Sequence, residues 1–283
     1  MSASRVFAVI THRRPDETGP VLRELVAMAR EAGVELLLDR EEASKHGLEA
    51  APGVRVADSD PDGVELCVVL GGDGTILRAL RRWGRDVPVI AINFGEVGFL
   101  ATIDREGATE GLRRAIAGDF ELMELPGIAL ELAGESEVAI NDISLHRRVG
   151  ERVAELAYDI DDVEVGCVRC DGLVVATPAG STGYNLANGG PVLAWGVEGF
   201  VVSFIAPHTL TARALVVAPV DVITIYNRSW APVDATVDGQ PVGEVAPGES
   251  VRGRFVQHAG SLAQLPGSSF YRRLRDKFGR LSR

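Results

Sequence analysis

The chain has 283 residues, 46% hydrophobic and 24% charged, which gives it the length of about two domains and apolar material for a sizeable core. That excludes a mainly disordered chain. Twenty-nine basic against 40 acidic residues leave a net charge of −11, a poor general surface for nucleic acid or anionic membrane, so neither is expected as a partner. The cysteines, Cys67, Cys167 and Cys170, are too few for a disulfide scaffold and point to a reducing compartment. No run approaches the roughly 20 apolar residues of a membrane span, and the apolar run at 6–10 is too short for a signal-peptide core. A cytoplasmic protein is therefore expected.

Arg5–Thr11 reads as a buried strand. Val21, Leu22, Leu25, Val26 and Ala29 fall at helical spacing and predict a helix over 20–32, ended by Gly33. Strands follow at Val34–Leu38 and at 64–70. The second of these runs into Gly71-Gly72-Asp73-Gly74, after which a helix is predicted over 75–83, a strand over 87–93 and a helix over 104–117. Such β-α alternation predicts a Rossmann-like α/β domain, a parallel sheet with helices on both faces. Beyond residue 120 the texture changes. Apolar or alternating runs at 127–132, 137–146, 153–160, 173–177, 200–206, 215–218, Val222–Asn227 and 250–256 are punctuated by glycine and proline. They predict a β-rich, sandwich-like second domain with one helix starting near Thr182. The segment 269–283 reads as a helix, with Phe270, Leu274 and Phe278 at four-residue steps and a solvated basic face. The domains are placed at 1–120, with 262–283 returning to it as a helix packed on it, and at 121–261.

The strongest local signal is Gly71-Gly72-Asp73-Gly74-Thr75, between a strand and a helix. Glycines permit close backbone approach, and a helix N-terminus suits phosphate. A carboxylate would repel a ligand that was only an anion. Asp73 makes chemical sense if it binds a ribose hydroxyl or a metal, or takes a proton. The plainer alternative is a tight turn with Asp73 as helix N-cap. Asn93-Phe94-Gly95-Glu96-Val97-Gly98-Phe99-Leu100 is a second glycine-rich loop, with Phe99 a core residue on the plain reading. In the third, Asp171-Gly172 precedes Thr177-Pro178-Ala179-Gly180-Ser181-Thr182-Gly183-Tyr184-Asn185. Its hydroxyls can serve a polar ligand or cap a helix at Ser181 and Thr182, and Tyr184 can stack on a base. Asn141-Asp142 lies in a strand pattern, so one of the two faces inward and needs a partner or lines a site.

Several chemistries drop out. The lysines are Lys45 and Lys277 alone, and neither follows a glycine, so the P-loop pattern GxxxxGK[ST] is absent. Cys167-x-x-Cys170 has no second ligand pair, and in a strand i and i+3 project to opposite faces, so neither zinc nor redox chemistry is expected there. The five histidines form no HExxH, and a GxSxG elbow is missing.

Taken in order, GGDGT, NFGEVGFLA, AINDISLHR, CDGLVVATPAGSTGYNLANGGPV, APHTLTARALVVAP and VDGQ resemble the NAD kinases of bacterial type, the ATP- or polyphosphate-dependent enzymes that make NADP. The resemblance spans about residues 64–278. It implies two domains, a nucleotide- and phosphate-binding one and an NAD-binding one, with the active site between them. By this match Asp73 is the base for the adenosine ribose 2′-hydroxyl, and Gly71, Gly72, Gly74 and Thr75 approach phosphates or nucleotide. Phe99 would lie against the dinucleotide. Asn141 and Asp142 would bind ribose or base groups; many members carry Asn-Glu there, and the aspartate shortens the reach by about 1.5 Å. Asp171, Ala179 and the segment Thr182, Gly183, Tyr184, Asn185, Leu186 and Ala187 match dinucleotide contacts, with Gly183 replacing the common alanine. Arg78, Arg152, Arg169 and Gln240 match positions that bind the dinucleotide in some members. The resemblance further implies Mg²⁺ carried with ATP or polyphosphate, no dedicated metal site, no tightly bound organic cofactor, and a homodimer or homotetramer. Two rivals remain: a lipid kinase with the same loop, which would need neither TPAGSTGY nor Asn141-Asp142, and a non-catalytic dinucleotide sensor, against which the intact Asp73 argues.

Overall fold

Apolar strands alternating with one-sided helices build the first part of the chain, β1 (Arg5–Thr11), α1 (Pro15–Glu31), β2 (Val34–Leu38), α2 (Arg40–His46), β3 (Val54–Val56), β4 (Val64–Gly71), α3 (Asp73–Trp83), β5 (Val89–Asn93), β6 (Ile103–Asp104) and α4 (Ala108–Ala117). This is a computed structural model, and it describes residues 5–57, 63–96 and 98–279. The chain forms two units, Met1–Glu124 with Gly260–Arg283, and Leu125–Ala259.

In the first unit the strands lie in the order β5-β4-β1-β2-β3, with β6 beside β5, and these pairs are parallel. β4 is apolar almost throughout because both faces of a parallel sheet are covered. Leu66, Val68 and Leu70 share a core with Leu22 and Leu25 of α1 and Leu112 and Ile116 of α4. Cys67 and Val69 are equally buried, and α3 packs against β4 with Ile76, Ala79 and Leu80 inward. From β1 the chain moves outward to β2, and from β4 it moves the other way to β5. The C-terminal ends of β1 and β4 therefore flank a topological switch point, the usual ligand crevice of such sheets. Gly71-Gly72-Asp73 leaves from one of those ends.

Boundaries differ from the sequence reading where local chemistry outweighs periodicity. α1 starts at Pro15, and Pro20, expected at the helix start, lies inside it on an exposed turn. α2 has no apolar period to betray it. Asp39 caps it by accepting from Glu42 N at 2.8 Å, and Gly47 ends it at φ 62°. The helix expected from 104 begins at Ala108, after a single 3-10 turn.

The second unit carries β7 (Glu121–Leu132), β8 (Glu135–Ala139), β9 (Asp142–Arg147), β10 (Ala154–Ile160), β11 (Val163–Cys170), β12 (Gly172–Ala176), α5 (Tyr184–Ala187), β13 (Phe200–Ile205), β14 (Leu215–Val217), β15 (Val222–Asn227), β16 (Val233–Val237), β17 (Gln240–Val245) and β18 (Ser250–Gln264). One antiparallel sheet runs β14-β13-β12-β9-β16-β17; β11-β10-β15-β18 belong to a second, in which β7 pairs with β8 and β18. Ile143, Leu145, Leu173, Val175, Phe200 and Val202 from the first share a core with Ile128, Leu156, Ile223 and Ile225 from the second. This is sandwich packing. Period-two alternation sends Asp142, Ser144, His146 and Thr236 to the opposite face of the first sheet.

The expected strand 137–146 is two strands, broken at 140–141. β11, β16 and β17 had gone unread. β16 and β17 are joined at Asp238-Gly239, both at positive φ (48° and 73°), the two-residue hairpin turn that Asp-Gly favours. Instead of a full helix near Thr182 there is a 3-10 turn, Gly180–Thr182, and the four-residue α5. β18 ends in the first unit with Leu262 opposite Val89 of β5, in parallel. α6 (Phe270–Phe278) follows, and its expected continuation over 280–283 lies outside the described residues. Among the described residues no helix is long and apolar enough to cross a membrane.

Candidate active site

Asp73 opens α3, but it does not cap the helix as the plain reading supposed. Gly72 is the N-cap and supplies no side-chain bond. The Asp73 carboxylate instead accepts from Phe99 N at 2.8 Å (Oδ2) and from Leu100 N at 3.0 Å (Oδ1). Each oxygen keeps a further lone pair. Three close contacts lie within and between the two loops. Gly72 and Gly95 meet so closely that a Cβ on Gly95 would lie 3.0 Å from Gly72 Cα. Asn93 Oδ1 accepts from Gly95 N at 2.9 Å, and a Cβ on Gly98 would lie 2.5 Å from the Asn93 amide. Gly71 is needed too, since a Cβ there would strike the Thr75 side chain at 2.6 Å. Gly74 is different: it is exposed, and nothing lies within 4 Å of where its Cβ would be.

Phe99 is buried at 4% exposure, its ring 5.2 Å from that of Phe278, so the core reading of that residue describes its present surroundings. Arg78 Nη2 reaches Glu42 Oε1 at 2.9 Å and the Thr11 carbonyl at 3.2 Å. Glu42 is 3% exposed. It also pairs with Lys45 Nζ at 2.7 Å and accepts from Thr11 Oγ1 at 2.7 Å. A buried carboxylate thus anchors Arg78 beside the ends of β1 and β4. Sequence reasoning missed Glu42 because two of its partners, Thr11 and Arg78, lie 31 and 36 residues away.

In the second unit the Asn141-Asp142 pair meets the TPAGST segment. Thr177 N donates to the Asn141 carbonyl at 2.9 Å, and Thr177 Oγ1 donates to the Ile140 carbonyl at 2.6 Å. Gly180 presses so hard on Asn141 that a Cβ would fall 2.0 Å from its carbonyl oxygen. Asn141 Oδ1 is buried without a hydrogen-bond partner, an acceptor left for something to fill. Asp238 accepts three successive amides, Ile140 N at 3.0 Å, Asn141 N at 2.7 Å and Asp142 N at 3.2 Å. This clamp, too, was unread. Its partners are nearly a hundred residues distant, and the Asp-Gly turn was the one available signal. Burial, with the Asp238 charge second, pushes the Asp142 carboxyl up to about 7.

Next along β9, Ser144 Oγ lies 2.6 Å from Thr236 Oγ1 and 2.8 Å from His146 Nε2. The His146 ring stacks on Tyr184 at 5.5 Å, and burial lowers the imidazole pKa. Ser181 and Thr182 do not cap α5. Ser181 Oγ donates to the Pro178 carbonyl and accepts from Leu193 N, while Thr182 Oγ1 donates to the Ala179 carbonyl. Ala179 is buried, and Gly183 and Ala187 are exposed. The Asn185 amide nitrogen ties the Ser181 and Pro191 carbonyls; with Leu186 partly buried, this segment is a cross-braced cover on the sheet. Asp171 takes a 2.5 Å bond from Arg147 Nε, which lowers its pKa. Gln240 is exposed just past the Asp238 turn, Arg152 is an exposed residue of the β9–β10 loop, and Arg169 is exposed on β11. Arg169 lines a cavity of about 550 Å³ with His208 and Arg213. Cys167 is exposed and Cys170 buried, on opposite faces of β11. Among the described residues no three His, Cys, Asp or Glu side chains cluster to hold a metal ion.

Residues 7–120 match the model of the ATP-NAD kinase N-terminal domain, and 140–260 that of the ATP-NAD kinase C-terminal domain. The NAD kinase of Bifidobacterium longum subsp. infantis is 35% identical over 289 residues, 98% of this chain and 82% of that one. The NAD kinase of Gemmatimonas aurantiaca is 34% identical over 241 residues, 81% and 82% of the two chains. Among solved structures, yeast NADH kinase complexed with NADH superposes with a TM-score of 0.86 at 22% identity, covering 99% of this chain and 89% of that chain. An NAD kinase from Archaeoglobus fulgidus in complex with ATP gives 0.76 at 25%, covering 98% of each. With both domain models matched in tandem and relatives sharing a third of its residues along most of its length, the chain is a kinase and belongs to the NAD kinase family.

Proposed function

We propose that the protein transfers the terminal phosphoryl group of ATP, or of inorganic polyphosphate, to the 2′-hydroxyl of the adenosine ribose of NAD, with Asp73 as general base. The observation that carries this is the Asp73 carboxylate, fixed by one amide on each oxygen at the start of α3 and still able to accept a hydroxyl. In the step proposed, the 2′-hydroxyl gives its proton to Asp73 as its oxygen attacks the terminal phosphorus. The bond from that phosphorus to the bridging oxygen breaks, and ADP or a shortened polyphosphate leaves with the electron pair. Such transfer depends on positioning and charge neutralisation. The open space at Gly74 gives phosphate a way to the α3 N-terminus, with Gly71, Gly72 and Thr75 shaping the turn and Arg78 nearby as a fixed cation.

The dinucleotide itself falls to the second set of residues. Asn141, with its unpartnered Oδ1, and Asp142 take ribose or base groups. Asp171, Ala179 and 182–187 hold the rest, and Arg152, Arg169 and Gln240 add outer contacts. Phe99 backs Asp73. Mg²⁺ enters as part of the donor. A homodimer or homotetramer in the cytoplasm belongs to the same reading.

The test is NADP formation from NAD with Mg·ATP and, in parallel, with polyphosphate, by a coupled assay. NADP is expected, and Asp73→Asn is expected to keep NAD binding while turnover drops at least about 100-fold, the scale of general-base catalysis. Near-normal turnover in Asp73→Asn would remove Asp73 as base. A folded, NAD-binding protein that makes no NADP with either donor would be a sensor.

A further inference from the structure

We infer that the C-terminal helix α6 belongs to the catalytic machinery, with Arg273 a positioning residue that sets the proposed base through the Phe99–Leu100 peptide; this rests on the reading of Asp73 as the base. A trans peptide unit is planar, with its C=O and N–H pointing in opposite directions. The unit joining Phe99 to Leu100 is held on both edges. Arg273 Nη1 donates to the Phe99 carbonyl, and the Leu100 N–H of the same plane donates to Asp73 Oδ1 at 3.0 Å. Gripping the oxygen therefore fixes the direction of the N–H, and a cationic donor on the oxygen also polarises the amide toward its acceptor. The neighbouring N–H, of Phe99, holds Asp73 Oδ2 at 2.8 Å. α6 grips Phe99 a second time, through the Phe278 ring at 5.2 Å.

Packing alone does not set this loop. A hollow of about 310 Å³ lies beside it, lined by Gly98, Thr102, Asp104, Arg272 and Arg273 among others. Phe270 is the one buried residue of α6, so the helix is not retained for a large apolar face. The guanidinium of Arg273 bears a cost in its setting: burial lowers its pKa, against which Asp73 and Asp104 act. An apolar side chain of the same length would avoid that cost. Reach and donor geometry explain the arginine, and both are directed at the peptide that orients Asp73.

Arg273→Met keeps an unbranched stem and removes the donor. We expect kcat for NADP formation to fall 10- to 100-fold, KM for NAD to stay within about threefold, and Arg273→Lys, which keeps a donor and charge, to recover most of the loss. In the Asp73→Asn background the Arg273→Met change is expected to have no further effect, since both act on one device. A kcat within twofold of wild type in Arg273→Met, a loss confined to KM, or full additivity with Asp73→Asn would overturn the inference. Should Arg273→Met fail to fold, Arg273→Leu, which also lacks the donor, and its double variant with Asp73→Asn carry the same comparison. The two readings fail separately. If Asp73→Asn is slow and Arg273→Met is not, only the role of α6 is lost; if Asp73→Asn is active, the base assignment falls.

Discussion

Burial beside the Asp238 turn pushes the Asp142 carboxyl to about 7, far above the value the unfolded chain would show. Between about pH 4 and pH 7 the folded protein therefore keeps a proton that the unfolded chain has released. Stability from this group falls as pH rises through that window and levels off above it. At about 1.4 kcal/mol per pKa unit the total is a few kcal/mol. Asp142→Asn should remove the dependence: in denaturant melts from pH 5 to pH 8 the variant gains on wild type as pH rises, whereas parallel curves would mean that Asp142 titrates normally. Residue identity was legible where the local chain was unusual. The lone carboxylate among the glycines singled out Asp73, but its partners Phe99 and Leu100 lie 26 and 27 residues on, and no local rule finds amides at that distance. Glu42, Asp238 and Arg273 were illegible for the same reason. Each is an ordinary charged residue in a helix or turn until the fold brings its partner to it.

At the scale of elements, two glycines separate what the fold requires from what a ligand requires. Gly180 is sterically obligatory, because its missing Cβ is where the Asn141 carbonyl sits. Gly180→Ala should displace Asn141, raise KM for NAD at least tenfold and lower thermal stability. Gly74 faces open space inside α3. Alanine there should stabilise the helix by about 0.5–1 kcal/mol and yet lower turnover, if phosphate approaches that backbone. A Gly74→Ala protein that was both more stable and fully active would clear that surface of any role. The β4–loop–α3 unit was readable because a run of apolar residues buried on both faces ends abruptly in glycine. β11 was not, because its exposed positions 163–165 and 167 hide the alternation. α2 was not, because seven residues are too few to show a period.

On the scale of the whole molecule, the change of texture near residue 120 was legible because parallel, doubly covered strands and antiparallel, alternating ones have different compositions. The return of residues 262–283 to the first part of the chain was expected as well; less legible was what that return does. The sheet of this discontinuous first unit takes Leu262 beside Val89, and the loop that holds Asp73 is gripped by α6. A chain ending at residue 268 should keep the Leu262–Val89 pairing and most of its thermal stability, yet lose turnover at least as severely as Arg273→Met. Equal turnover in the shortened chain would count against the whole arrangement.

The discontinuity also sets an order of events. On the ribosome, Leu125–Ala259 is contiguous and can collapse into its sandwich as soon as it emerges, while the unit begun first must wait for residues 260–279, which are made after all of it. After dilution from denaturant, enzymatic activity should accordingly return later than the spectroscopic signature of the antiparallel sheets. A nascent polypeptide released early would hold a folded sandwich while the Asp73 loop still lacked its contacts from α6.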